Sequence, residues 1–251
     1  MKKSIRLLPI FCMLFFATNV TCESIKIATI DWCPLICPND AEKPGLLVEY
    51  TKAIFDRQGY HIKFTCYPWS RAINVTLKGD VDAVLAPAKS EAPELIYPES
   101  NIGVQRFCFF VRKEDTWKYQ TPDSIIGRNI IHPQDALPTE LFAVKHKAAR
   151  IDARSYNDKY MDGTTKQLQA KRYDSILMTY YSMIDFLQKN NLSDHIKFAG
   201  CVSSQNLYLA FSPHSQKQEF AKRLIDIFER EIKELQKNNY FENLLIKYNL
   251  D

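Results

Sequence analysis

Glycine is scarce, with seven in 251 residues, and nothing resembles the Gly-rich loops that cradle nucleotide phosphates. There is no Gly-x-Ser-x-Gly elbow and no His-Glu-x-x-His helix, so the common signatures of serine hydrolases and zinc peptidases are missing. The five histidines are scattered. No second closely spaced cysteine pair accompanies Cys33-x-x-x-Cys37, which leaves a zinc site short of ligands. These absences point to a chain without a cofactor or a metal. Past the N-terminal segment no run approaches eighteen apolar residues, so the rest offers no candidate for a membrane-spanning helix.

The N-terminus itself is patterned. Lys2, Lys3 and Arg6 precede an almost wholly apolar run over residues 7–17, then Thr18, Asn19 and small residues. Eleven apolar residues are too few to cross a bilayer, and the layout is that of a secretory signal over residues 1–22. Cleavage after Cys22 is one reading and lipidation of Cys22 the other, although Thr21 suits a lipoprotein signal poorly. The expected location is the periplasm. Without the three leader cations the formal charge falls from +4 to +1, which gives no argument for nucleic acid as a partner. Five cysteines then remain, an odd number, so one is left over. Cys33 and Cys37, each followed by proline in a loop, are the best candidates for a disulfide in an exported chain.

With 46% hydrophobic and 12% aromatic residues, the remaining chain can bury a sizeable core. Residues 25–30 read as a strand, 47–58 as a helix stopped at Gly59, and 61–67 as a strand. The segment 67–86 is the most informative. After Tyr67-Pro68-Trp69-Ser70-Arg71 comes a short amphipathic helix with Ile73, Thr76 and Leu77 on one face. Ser70 is its expected cap, Gly79 its left-handed stop, and the apolar run 81–86 a buried strand. Arg71 then sits in the first helical turn, where the macrodipole disfavours a cation. Either an anion docks there or Arg71 is a solvated residue beside a core Trp.

Strands are expected at 106–111, 128–131, 149–153, 174–179, 196–199 and 207–211, with helices at 139–147, 161–171 and 180–190. The tail is the clearest helix, since Phe220, Leu224, Ile227, Phe228, Ile232 and Leu235 recur at spacings of three and four. A last short helix shows Phe241, Leu244, Leu245 and Tyr248 on one face. Such alternation builds an α/β fold with mostly parallel sheets.

Taken in order, several short motifs carry a resemblance. They are the leader, Ile27-Ala28-Thr29 leading to Trp32 and Pro34, Gly45 and Gly59 around the first helix, Pro68-Trp69-Ser70-Arg71, and Gly79-Asp80-Val81-Asp82-Ala83. Tyr97-Pro98, the strand 107–111, Tyr173-Asp174-Ser175, residues 207–213 and the two last helices continue the series. Together they resemble the family 3 extracellular solute-binding proteins over nearly the whole chain after the leader. The resemblance implies two α/β lobes joined by two crossover strands, with a ligand cleft between them. Lobe one would comprise residues 24–107 and 212–251, lobe two residues 112–205, and the crossovers residues 108–111 and 206–211.

The same resemblance aims three first-lobe turns at the cleft: Asp31 and Trp32; Trp69 and Arg71; and Pro87, Ala88 and Lys89. Trp32 and Trp69 would stack on a ligand and Arg71 would grip a carboxylate or phosphate, against the plainer reading of two core tryptophans and a solvated cation. From lobe two, Thr179 and Tyr180 should reach the cleft, and 132–135 should begin a second rim turn. Two positions depart from the pattern of the amino-acid binders. Ala92 stands where they carry an arginine for the ligand carboxylate, and Thr179 where they carry an aspartate for the ammonium. A desolvated zwitterion needs both charges compensated, so a standard α-amino acid is a poor fit unless Lys89 or Arg71 replaces the cation.

The resemblance implies a monomeric binding protein that captures a small polar molecule and delivers it to a membrane permease of the ABC type. The alternative is a ligand sensor for a membrane receptor. A cleft enzyme such as a dehydratase, using Glu91 or Asp135 with Lys89, is the third and weakest reading, and no catalytic residue is assigned.

Overall fold

Short β-branched and aromatic runs separated by amphipathic segments dictate strands joined through helices. The computed structural model describes residues 23–134, 137–157 and 159–250. The leader with Cys22, and Asp135 of the expected rim turn, lie outside the described residues. The strands are β1 (Ser24–Thr29), β2 (His61–Cys66), β3 (Ala83–Leu85), β4 (Gly103–Arg112), β5 (Asn129–Pro133), β6 (Arg150–Arg154), β7 (Ser175–Thr179), β8 (Ile196–Leu207) and β9 (Leu209–Phe211). The helices are α1 (Leu46–Phe55), α2 (Trp69–Leu77), α3 (Tyr160–Gln169), α4 (Tyr180–Lys189), α5 (Gln218–Lys237) and α6 (Tyr240–Lys247).

These strands form two sheets, ordered β2-β1-β3-β9 and β6-β5-β7-β4-β8. In the first, β1 runs parallel to β2 and β3, while β9 returns antiparallel to β3. In the second, β5 runs parallel to β6 and β7, and β4 lies antiparallel between β7 and β8. The fold is α/β with two sheet-centred bodies.

Each sheet is buried on both faces, as the two-residue period of its strands requires. Ile25 and Ile27 of β1 join Ile54, Leu224, Phe228 and Ile232 on one side. Ala28 packs with Ala72, Val84 and Ala210 on the other, beneath α2. In β4, Cys108 and Phe110 face Ile176, Met178 and Leu168, whereas Phe109 and Val111 face Ile130 and Leu177. The C-terminal helix α5 belongs to the first body, with Leu224, Phe228, Ile232 and Leu235 buried.

Asp82 is a structural charge rather than a functional one. It is 4% exposed, accepts the Lys26 backbone N–H at 2.8 Å and meets the Lys217 ammonium at 2.7 Å. It thereby ties β1 to the segment that leads into α5. Exposed Asp80, two residues earlier, makes no such bond.

Several expectations need correction. Residues 108–111 are not a crossover, because Phe107–Phe110 pair with β7 inside the second sheet. Residues 209–211 belong to the first sheet, paired with β3. The bodies are instead linked where residues 103–106 of β4 pair with 204–207 of β8. The strand expected at 196–199 continues to Leu207, since the polar stretch 203–206 still has a backbone partner in β4. Residues 139–147 form two short 3-10 turns, Thr139–Leu141 and Lys145–Lys147. Leu141 is buried but Phe142 is 51% exposed, so a continuous helix there has no apolar face to bury. Helix α2 begins at Trp69 after Pro68 without a side-chain cap, so Ser70 lies inside the helix. Gly79 is left-handed at φ 79°.

Cys33 and Cys37 are paired, with Cα atoms 4.9 Å apart. A second bridge, Cys108–Cys201, joins β4 to β8 across 93 residues of chain, and among the described residues Cys66 is the free thiol.

A loop of that length predicts that Cys108→Ala with Cys201→Ala lowers stability by about 2–5 kcal/mol, roughly 5–15 °C in Tm. Calorimetry checks this against the wild type. Asp82→Ala should destabilise by about 2 kcal/mol, because it leaves the half-buried Lys217 and the Lys26 N–H without their partner. Asp80→Ala should stay within about 0.5 kcal/mol. Equal effects of the two aspartates in chemical denaturation would contradict the assignment.

Candidate functional site

Parallel strands deliver the residues that follow them to one edge of their sheet, and open α/β sheets place ligands at that edge. Here the carboxyl edges of both sheets meet at a cavity of about 240 Å³. Ile30, Asp31 and Trp32 follow β1, Trp69 opens the helix after β2, and Ala86 follows β3, with Glu91 beyond it. On the opposite wall Pro133 ends β5, Tyr156 follows β6, and Met178 and Thr179 end β7. Gln105 and Phe107 of β4 complete the lining, next to the two-stranded link between the bodies.

Four of the expected ligand contacts line this cavity, Asp31, Trp32, Trp69 and Thr179, as does Glu91 of the enzyme reading. Arg71 does not. Residues two apart on a helix point in different directions, so with Trp69 turned to the cavity Arg71 is exposed, its guanidinium 5.4 Å from the Tyr67 ring centroid. Pro87 and Ala88 are buried in the turn after β3. The Pro87 carbonyl accepts the Tyr208 N–H, and the Ala88 N–H donates to Glu91 at 2.8 Å. That turn therefore aims Glu91 instead of contacting the cavity itself. Lys89 lies with its ammonium 4.7 Å from the Tyr208 ring centroid. Tyr180 packs against Phe110, Tyr181 and Phe198, under the Arg106 guanidinium at 4.1 Å.

Local structure fixes the lining. The Trp32 N–H donates to the Ile36 carbonyl at 2.8 Å, and the Trp32 carbonyl accepts the Leu35 and Ile36 N–H groups. This closes the turn that carries the Cys33–Cys37 bridge and holds Trp32 at the rim. Ala86 is left-handed at φ 71° while buried, a conformation that costs a non-glycine residue about 1–2 kcal/mol. Its N–H donates to the Tyr208 carbonyl at 2.8 Å, so the strained residue is secured by the chain segment that joins the bodies.

The polar groups are few. Burial raises the Glu91 carboxyl above its ordinary range, opposed by the Ala88 N–H. Burial also raises the Tyr156 hydroxyl, and the charge of Asp31 adds to that shift, which couples one wall to the other. Thr179 is 8% exposed, and its Oγ1 has no hydrogen-bond partner. Buried hydroxyls are normally satisfied, and Thr29, Tyr160 and Ser175 share this unpartnered state away from the cavity. Among the described residues no group of three or more His, Cys, Asp or Glu could hold a metal ion. The Glu91 and Lys89 pairing of the enzyme reading is not assembled in the cavity, since Lys89 stands over Tyr208.

Gln105, Phe107, Tyr156 and Met178 are not singled out by the sequence, whereas Pro133 falls in the expected rim turn 132–135. Tyr156 carried a usable signal, because it follows a strand in a parallel sheet and must emerge at the same edge as Thr179. Gln105 and Phe107 carried none, since their strand is antiparallel and its extent depends on pairing with β8.

No family model matches the sequence, and no curated protein does either. Solved structures do match. The probable amino-acid ABC transporter extracellular-binding protein of Bacillus subtilis is 19% identical with a TM-score of 0.72, over 91% of this chain and 98% of that one. The L-cystine solute receptor of Neisseria gonorrhoeae, in an unliganded open conformation, is 15% identical at a TM-score of 0.69, over 91% and 93%. A histidine kinase sensor domain with similarity to periplasmic binding proteins is 17% identical at 0.63, over 90% and 95%. At these identities the likeness is one of fold, and the chain has the two-lobed α/β fold of the solute-binding proteins.

Proposed function

We propose that this chain is an exported solute-binding protein that captures a small molecule between its two bodies. The observation that carries this reading is the cavity at the meeting carboxyl edges of the two sheets, walled from both sides. It holds aromatic faces, two carboxylates and an unpartnered hydroxyl, the mixture of apolar wall and few polar groups expected of a ligand site. In this reading the lobes move about the paired segments 103–106 and 204–207, and a ligand that touches both walls favours the closed state. The periplasm as location rests on the leader pattern. No helix among the described residues is long and apolar enough to cross a membrane.

A second reading is a sensor whose closed form engages a membrane receptor. The likeness to the histidine kinase sensor domain favours keeping it. Both readings use the same cleft and the same closure.

The test is a thermal-shift screen of the leader-free protein against amino acids, amines, organic acids, small peptides and sugars. A solute at one hundred times its Kd should stabilise by about 2.7 kcal/mol, several degrees for a chain of this size. Trp69→Ala should weaken that solute at least tenfold. Arg71→Ala should leave it within twofold, because Arg71 lies outside the cavity. A silent Trp69→Ala beside a crippling Arg71→Ala, measured by titration calorimetry, would move the site elsewhere.

A further inference from the structure

The cavity is charged on one side of the ledger only. Among the described residues, Asp31 and Glu91 are its acidic lining residues, and no Lys or Arg lines it. The cations on neighbouring elements face other groups. Arg71 lies over Tyr67, Lys89 over Tyr208 and Arg106 over Tyr180, while Arg154 reaches Asp152. The remaining wall is largely ring surface, from Trp32, Trp69, Phe107 and Tyr156. Independently of the acids, Thr179 Oγ1 is buried and unpartnered at the same cavity.

On the solute-binding reading above, we infer that the ligand is a small organic cation with N–H donors and no carboxylate, an aliphatic amine or guanidine. Aromatic faces attract cations through their quadrupoles, most strongly once water is excluded. Asp31 and Glu91 are pure acceptors when ionised and match ammonium or guanidinium N–H groups. A ligand carboxylate would be desolvated beside two like charges, with no lining cation to compensate it. A neutral sugar would leave both acids without a countercharge in the closed cleft. A bare metal ion would meet mostly ring carbon where it needs oxygen.

Titration calorimetry with two ligand pairs tests this: agmatine against L-arginine, and cadaverine against L-lysine. Within each pair the carboxylate is the difference. In at least one pair the amine should bind tenfold or more tightly than its amino acid. Glu91→Gln and Asp31→Asn should each weaken that amine at least tenfold, with Lys89→Ala within twofold, and Tm values confirming that each variant is folded. The inference is overturned if the amino acid binds as tightly as its amine, or if the amine ignores both carboxylate substitutions. If an organic acid or sugar from the wider screen binds while all four probes fail, the cation falls and the solute-binding reading stands. If nothing in either set binds, both fall.

Discussion

The structure depends on the long antiparallel pairing of β4 with β8. From Arg112–Ile196 to Gly103–Leu207 the two strands stay paired, with register shifts between Phe107 and Cys108 and between Cys108 and Phe110. One end lies in the core of the second body, where Cys108, Phe110 and Ile196 are buried together. The other end reaches the first, where Ile102 and Leu207 pack with Leu47 and Ile54. Backbone hydrogen bonds are indifferent to side chains, so the pairing continues through the polar stretch of residues 203–206 that no hydrophobic core would hold. The Cys108–Cys201 bridge locks the register on the second-body side and leaves residues 103–106 as a two-stranded link. That link carries Gln105 and Phe107 to the cavity, so the element that joins the bodies also helps form the site.

Placing polar and strained groups at this junction has energetic consequences. Ala86 holds a left-handed backbone that glycine would adopt more readily. Thr179 Oγ1 is buried without a partner, a state that costs about 1–3 kcal/mol. Glu91 has a folded-state pKa raised above its unfolded value. The unliganded protein therefore loses stability as pH rises from the ordinary glutamate range through that raised value, and the loss persists at neutral pH. An amine or guanidine between the lobes would offset the carboxylate, so a group that weakens the free protein is one that such a ligand would use. The acids and rings around the cavity form one arrangement with Thr179, whereas Arg71 and Lys89 are occupied on aromatic faces outside it.

Much of this was legible in the sequence. The two-residue period of β1, the amphipathic stripe of α5 and the turn after each parallel strand follow from local pattern, and with them Asp31, Trp32, Trp69 and Thr179. Arg71 was misplaced because a run of motif residues was taken to face one way, although Trp69 and Arg71 are two apart on a helix. Pro87, Ala88 and Lys89 were read as contacts when their turn instead directs Glu91. The extent of β8, the Cys108–Cys201 bridge and the roles of Gln105 and Phe107 depend on pairing between segments about 90 residues apart, which no local window contains.

The central claim is that a solute lies between the two carboxyl edges against Trp32 and Trp69. The third tryptophan, Trp117, packs away from the cavity, 5.3 Å from Phe109 and 4.2 Å from the Arg128 guanidinium. Fluorescence of Trp117→Phe thus reports on the cleft alone, and titrating it with the tightest-binding solute is the most direct test. The account predicts a saturable change in emission at the calorimetric Kd, lost when Trp32 and Trp69 are both replaced by Phe in the wild-type background. A change that disappears in Trp117→Phe but survives the double replacement would contradict it.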